Sequence, residues 1–266
     1  MKMTLDTISF AATAPGAAGI AAAVVAGDSA QVRSTSSIIS GTLLGLWTNS
    51  QAVGFTQVLF PYGHDMSRNL RYRNVALLPC NQIAKAAMQP MKSQDLITVV
   101  QAGSAVVGDV ETIHALIGYP ELEGGSDKYI GLEEFQSRCE ELVTIEDTLT
   151  ATVAGVYSGA RALNAVTTTL KANRNYAVVG IQVGANGGAV TIRGQDTGNL
   201  RASMPCNQND ADETINWFPD LASWKGMPVI PVINAANQAN TFIELITNEL
   251  LTAVPFSLTL ALLEDK

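Results

Sequence analysis

The sequence predicts an all-β chain that contains one eight-stranded domain twice, and three observations carry that expectation. Blocks recur: Asn69-Leu70-Arg71 followed by Pro79-Cys80-Asn81-Gln82 returns roughly half a chain later as Asn199-Leu200-Arg201 followed by Pro205-Cys206-Asn207-Gln208. Short β-branched and alternating runs dominate, and turn signals such as Asn186-Gly187-Gly188, Asp196-Thr197-Gly198 and Gly124-Gly125-Ser126-Asp127 separate them. Charged residues are only 15% of the chain, against the ~25% of an ordinary soluble domain, so much of the surface is expected to face partners.

The echo extends beyond the first blocks. Leu96 to Ala102 reads like Val229 to Ala235, and Thr112 to Ile117 like Thr241 to Ile246. Upstream, Gly45-Leu46-Trp47 and Thr56 match Gly180-Ile181-Gln182 and Thr191. The blocks keep their order, and the drift in spacing is what insertions and deletions in loops produce.

Taken in order, the stretch Phe10 to Gly27 is nearly uncharged. Its Ala, Gly and Pro15 make a poor membrane-spanning helix, and Asp6 spoils the basic start of a secretory signal. It reads as an extended arm or first strands. Strands follow at Leu43–Thr48, Gly54–Phe60, Leu96–Ala102 and Val110–Ile117 in the first half. The second half offers Ala162–Leu170, Tyr176–Val183, Ala189–Arg193, Val229–Asn234, Thr241–Ile246 and Pro255–Leu262. Helices are few. Leu132, Phe135, Cys139 and Leu142 recur at helical spacing with acidic residues between them, predicting an amphipathic helix over 132–142 with Cys139 on its apolar face. Asn81–Met91 is a second helical candidate, and Asp210–Trp224 is its counterpart excursion in the second half.

About 130 residues per half accommodate eight short strands, and eight strands in two four-stranded sheets make a jelly roll, which limits exposed sheet edges. The expected organisation is a first jelly roll with an N-terminal arm over 1–131, a linking helix over 132–142 and a second jelly roll over 143–266.

Composition excludes several functions. A formal net charge of −8 and a pI near 4.7 oppose direct nucleic-acid binding, which needs a Lys/Arg footprint on phosphates. The one basic cluster, Arg68, Arg71 and Arg73, alternates with Asn69, Tyr72 and Asn74 and suits one face of a solvated strand. Three cysteines form no metal-ligand spacing or disulfide framework. Cys80 and Cys206 sit at matching points of the repeat and read as fillers of a small apolar niche.

Catalytic constellations are equally sparse. A metal-binding pair of β-barrels needs clustered His in each barrel, and the chain's two histidines, His64 and His114, are isolated. There is no Gly-x-Ser-x-Gly elbow, Walker sequence or dinucleotide fingerprint, and Gly184 to Gly188 is hairpin chemistry. The acidic groups Glu121, Glu123 and Asp127, and Asp210, Asp212 and Glu213, read as solvated loop charge rather than a calcium loop. Trp217, Phe218 and Trp224 form an aromatic knot suited to core packing or to an interface. The expectation is a non-enzyme with no catalytic, cofactor-binding or metal-binding residues and no cofactor.

On the paired blocks at 69–82 and 199–208 and the paired strands at 96–117 and 229–246, the chain resembles the double jelly-roll major capsid proteins of tailless icosahedral, membrane-containing bacteriophages. The resemblance is architectural and spans nearly the whole chain. It implies a virion protein assembled in the host cytoplasm, whose homotrimers have a pseudo-hexagonal outline and tile an icosahedral shell. It also implies contacts with neighbouring capsomers, with vertex or minor capsid proteins and with an inner membrane, and none directly with nucleic acid. Two alternatives share the β-rich, low-charge composition: a viral tail, spike or head-decoration protein, and a bacterial surface carbohydrate-binding β-sandwich.

Overall fold

Strand β1 (Lys2–Thr13) occupies the interior of a sheet and pairs antiparallel with β8 (Val110–Glu121), from Met3 opposite Pro120 to Thr13 opposite Val110. The computed structural model describes residues 2–33, 40–61, 70–78, 81–85, 87–121, 128–165, 170–185, 187–206 and 214–265. Between β1 and β8 run β2 (Ile20–Val24), β3 (Ser40–Asn49), β4 (Gly54–Leu59), β5 (Leu70–Asn74), β6 (Gln89–Lys92) and β7 (Thr98–Ala102). Their order across the curled sheet is β5-β4-β7-β2-β1-β8-β3-β6, every pair antiparallel. That order is two jelly-roll sheets joined at β1: the β4 sheet, β2-β7-β4-β5, and the β1 sheet, β1-β8-β3-β6.

The second half repeats it. Its strands are β10 (Cys139–Ala151), β11 (Arg161–Ala162), β12 (Asn175–Val183), β13 (Ala189–Gly194), β14 (Ala202–Pro205), β15 (Ile230–Asn234), β16 (Thr241–Ile246) and β17 (Leu251–Leu263). They form the β13 sheet, β11-β16-β13-β14, and the β10 sheet, β10-β17-β12-β15. Strand for strand, the connectivity is that of the first half. A short strand, β9 (Tyr129–Ile130), adds to β15 at the edge of the β10 sheet. The chain is therefore all-β with jelly-roll sheets and short helices.

Local chemistry accounts for the elements. In β1, Ile8 and Phe10 point into the first core together with Leu43, Leu46, Ile113 and Ile117. Pro90, which has no N–H for a ladder, lies in β6 at the sheet edge, where none is needed. Helix α1 (Leu132–Arg138) carries Glu133 and Glu134 in its first turn and Arg138 in its last, each complementing the helix dipole. Helix α2 (Trp217–Lys225) ends on Gly226, whose φ of 61° is the left-handed region that glycine tolerates.

Several expectations need correcting. Of the two readings of the N-terminal stretch, first strands holds and a loose arm does not: β1 and β2 run through it, and β1 is buried along most of its length because both faces of its sheet are covered. The helix expected over 132–142 stops at Arg138. From Cys139 the backbone is extended and pairs with β17, so Leu142 is 62% exposed and Cys139 is exposed rather than core. No helix forms among the described residues of 81–91. There the Asn81 side chain accepts hydrogen bonds from the Leu46 and Ile83 N–H groups and ties this segment to β3. Among the described residues, the strand expected over Ala162–Leu170 is only Arg161–Ala162, followed by a 3-10 turn at Leu163–Ala165.

The sequence echoes fare unevenly. Gly45 and Gly180 are equivalent: each follows a bulge in the middle strand of its sheet, between Leu43 and Gly45 and between Val178 and Gly180. Thr56 and Thr191 are one residue out of phase. Thr56 shares the core-facing side of Val58, whereas Thr191 lies between Val190 and Ile192, on the face that carries Glu244. Leu70 and Leu200 are not offset in this way: Leu70 stands two residues before Tyr72, opposite core-facing Thr56, and Leu200 two residues before Ala202, opposite core-facing Ile192. The remaining two echoes match strands that are not equivalent, β7 with β15 and β8 with β16. Pro79, Cys80, Asn207 and Gln208 lie outside the described residues, as do Arg68, Asn69, His64, Glu123 to Asp127 and Asp210 to Glu213.

Candidate functional site

The feature that organises the molecule is the junction where the outer face of the β1 sheet meets the outer face of the β13 sheet. A strand with one dry face alternates, yet β3 reads as nearly continuous burial from Thr42 to Asn49. The reason is that Leu5, Leu44, Trp47 and Leu116, which point away from the first core, pack into the hydrophobic cluster of the second. Sheets so covered on both sides lose the alternation that marks a half-solvated strand.

Aromatic rings form the centre. The Trp47 indole tilts against His114 with centroids 5.6 Å apart and meets Trp217 of α2 edge-on at 5.7 Å. Trp217 in turn meets Trp224 edge-on at 6.3 Å. Trp217 and Phe218 are thus core residues, while Trp224 lies partly covered with Lys85 of the first roll 4.5 Å from its ring. The Lys225 ammonium donates to the Ala84 carbonyl at 3.0 Å and also to that of Ala87.

Around the rings runs a polar chain. His114 Nδ1 lies 2.9 Å from Ser9 Oγ and its Nε2 lies 3.1 Å from Thr112 Oγ1. Ser9 Oγ lies 2.7 Å from the Tyr157 hydroxyl, which donates to Asp28 Oδ2 at 2.9 Å. The Ser9 backbone N–H donates to the same oxygen at 2.8 Å. Arg201 donates to Asp28 Oδ1 at 2.8 Å, to the Gly27 carbonyl and to Glu244, and its guanidinium lies 4.0 Å from the centre of the Tyr157 ring. Arg193 grips Glu244 with two hydrogen bonds of 2.9 and 3.0 Å.

Burial sets the protonation states. Complete burial pushes the His114 imidazole down to about 3, so the ring is neutral. A neutral ring is fully satisfied when Nε2 accepts from Thr112 and Nδ1–H donates to Ser9, whose own proton passes to Tyr157. Asp28 is pushed up to about 6 by burial, against the opposing pull of the Ser9 N–H and Arg201. Asp6 is also raised by burial, although Arg33 donates to it at 2.6 Å.

Ser9 beside His114 has the outline of a nucleophile and its base. The geometry directs it elsewhere: the carboxylate of this chain, Asp28, bonds Tyr157 and Arg201, and His114 turns its far nitrogen to a threonine. Ser9 comes from β1, Asp28 from the β2–β3 connection, Tyr157 from the β10–β11 connection and Arg201 from the residue before β14. The arrangement holds the two rolls in one orientation.

Other expected residues are scattered. Arg71 and Arg73 are exposed on edge strand β5, beside a surface cleft of about 190 Å³ that Phe55 and Tyr72 also line. Cys206 is buried and its thiol is raised by burial. A cleft of about 410 Å³ separates α1 from α2, between Leu132 and Ala222. Among the described residues no group of three or more His, Cys, Asp or Glu could hold a metal ion, and no helix is long and apolar enough to cross a membrane. Sequence reasoning missed Ser9, Asp28, Tyr157 and Arg201 as a set, since they are far apart in the chain and share no spacing.

No protein-family model matches the sequence, and no curated protein is similar to it. Among solved structures, the crystal structure of PBSX exported protein XepA aligns with 98% of this chain and 86% of its own, at 8% identity and a TM-score of 0.29. At that score the likeness carries no argument about fold or function.

Proposed function

We propose that the protein is a structural coat subunit, the major capsid protein of a virus of the double jelly-roll kind. The observation that carries this reading is the strand order, repeated between halves and locked face to face by the buried junction. Fusing two equivalent rolls in one chain fixes their relative orientation, so less rotational freedom is lost on assembly than with separate subunits. Three chains then supply six similar lobes, a pseudo-hexagonal trimer able to tile an icosahedral shell. In this proposal the two building units divide near 131–143 as the sequence suggests, and the role is structural rather than enzymatic.

The partners proposed are other copies of the chain, vertex or minor capsid proteins and an inner membrane, within a virion assembled in the host cytoplasm. Direct genome contact is not part of the proposal, given the acidic charge. Purified protein viewed by negative-stain microscopy, with its mass measured by sedimentation velocity, tests the reading. Six-lobed trimers or closed shells are expected, and monodisperse monomers at high concentration overturn it.

A further inference from the structure

The junction inside the chain is heterologous: it joins a β1-type face to a β13-type face, two different surfaces. Because the rolls are equivalent strand for strand, each such surface has a twin. On the β10 sheet the segment before α2 covers β12, and β10 with the facing part of β17 is left open, while the β4 sheet is open at β5 and β4. The twin of the β1 face is the outer face of the β10 sheet, where Leu142, Glu146, Thr148 and Pro255 are exposed. The twin of the β13 face is the outer face of the β4 sheet, where Arg71, Arg73 and Thr98 are exposed and Phe55 is partly so. Equivalence can be followed residue by residue. Ser9 lies opposite His114 and Glu146 opposite Ser257, so Glu146 occupies in the second roll the place of the Ser9 that anchors the internal junction.

Charge points the same way. At the internal junction the β1-sheet side supplies the Asp28 carboxylate, and the β13 sheet supplies Arg201, which bonds Asp28 and shares Glu244 of its own sheet with Arg193. On the uncovered faces the strands of the β10 sheet carry Glu146 and no Lys or Arg pointing outward. Strand β5, the equivalent of β14, carries Arg71 and Arg73, and no Asp or Glu stands on its outer face. The acid and the base thus keep the same sides as in the internal pair.

We propose that the outer face of the β10 sheet of one copy seats on the outer face of the β4 sheet of a second copy, with Glu146 pairing with Arg71 and Arg73. Head-to-tail contacts of this kind close into a ring or run on as a filament, according to the rotation at each step. The inference rests on the coat reading and specifies which surfaces make its copy-to-copy contact.

The test is charge reversal with rescue. Purified wild type, Glu146→Arg, Arg71→Glu/Arg73→Glu and the triple combination are compared by sedimentation velocity across a hundredfold range of concentration. Far-ultraviolet circular dichroism confirms that each is folded. Both single-sided reversals are expected to weaken association at least tenfold, and the triple variant to recover most of it. If folded reversals associate as wild type does, the proposed surfaces are wrong while the coat reading stands. If the reversals dissociate but the triple variant is no better, the pairing is wrong. A wild type that is monomeric throughout removes both the surfaces and the coat reading.

Discussion

The Trp47 indole N–H of the first roll donates to the backbone carbonyl of Gly188 in the second at 2.9 Å, which sets the turn before β13 directly on a fully buried ring. Gly188 can come this close only because it has no side chain. A Cβ there would lie 2.5 Å from Thr112 Oγ1 and 2.8 Å from His114 Nε2. Gly188→Ala is therefore expected to push the rolls apart and to cost about 1–3 kcal/mol, the range for overfilling a packed interior. Urea denaturation measures it, and a midpoint unchanged from wild type would contradict the tight junction.

Arg201 serves four groups at once: the Asp28 carboxylate, Glu244, the Gly27 carbonyl and the face of Tyr157. The side chain of Asp28 is 3% exposed, so removing its cation strands a buried charge, a change that costs about 3–5 kcal/mol. Arg201→Met is expected to lose stability in that range. Arg201→Lys should recover little, because an ammonium cannot offer the planar fork or stack on the ring in the same way. Denaturant midpoints of the two variants check this, and full recovery by lysine would refute the geometric argument.

How much of this was legible in the sequence follows from where each residue points. Strands with one dry face, such as β4 and β7, and buried runs such as β12, announce themselves through alternation or apolar content. β1 did not, because its Thr and Ser residues face a second sheet rather than water, and the Ala-rich stretch after it reads like a loose tail. The duplication was legible, although the Thr56 and Thr191 echo is one residue out of phase and two others match strands that are not equivalent; a one-residue slip inverts every side chain of a strand. The carboxylates that matter, Asp6, Asp28 and Glu244, stand singly in sequence rather than in the acidic clusters that drew attention. Long-range polar junctions of this kind leave no spacing to read.

The junction also contains two opposed titrations. His114 falls from 6.5 to about 3 on folding, so its contribution is complete above pH 6.5 and is lost as the pH drops toward 3. Asp28 rises from 3.8 to about 6, so the folded form holds its proton more tightly, and stability from this group falls as the pH climbs from 3.8 to 6. Between about pH 4 and 6 the two slopes oppose each other, each at about 1.4 kcal/mol per pH unit. Relative to wild type, Asp28→Asn is expected to gain stability more steeply as the pH rises through that window, and His114→Gln is expected to lose it. Denaturation series at pH 4, 5 and 6 read the slopes, and parallel curves for all three proteins would show that neither group titrates as its burial implies.

The two bulge glycines, equivalent by fold, should respond differently to the same substitution. At Gly180 a Cβ would fall 2.1 Å from the Thr214 carbonyl oxygen and 2.4 Å from that of Ile215, since the segment before α2 lies directly on the strand. Backbone cannot yield as a side chain can, so Gly180→Ala is expected to cost about 2–3 kcal/mol or to displace the segment. At Gly45 the nearest atoms are the Trp47 ring at 3.3 Å and Leu116 Cβ at 3.5 Å, contacts that a shift of a few tenths of an ångström relieves. Gly45→Ala should stay within about 1 kcal/mol of wild type, with the reduced freedom of the unfolded chain offsetting part of the strain. Equal losses at both positions would mean that the bulge itself demands glycine, rather than the strand's neighbours in the second roll.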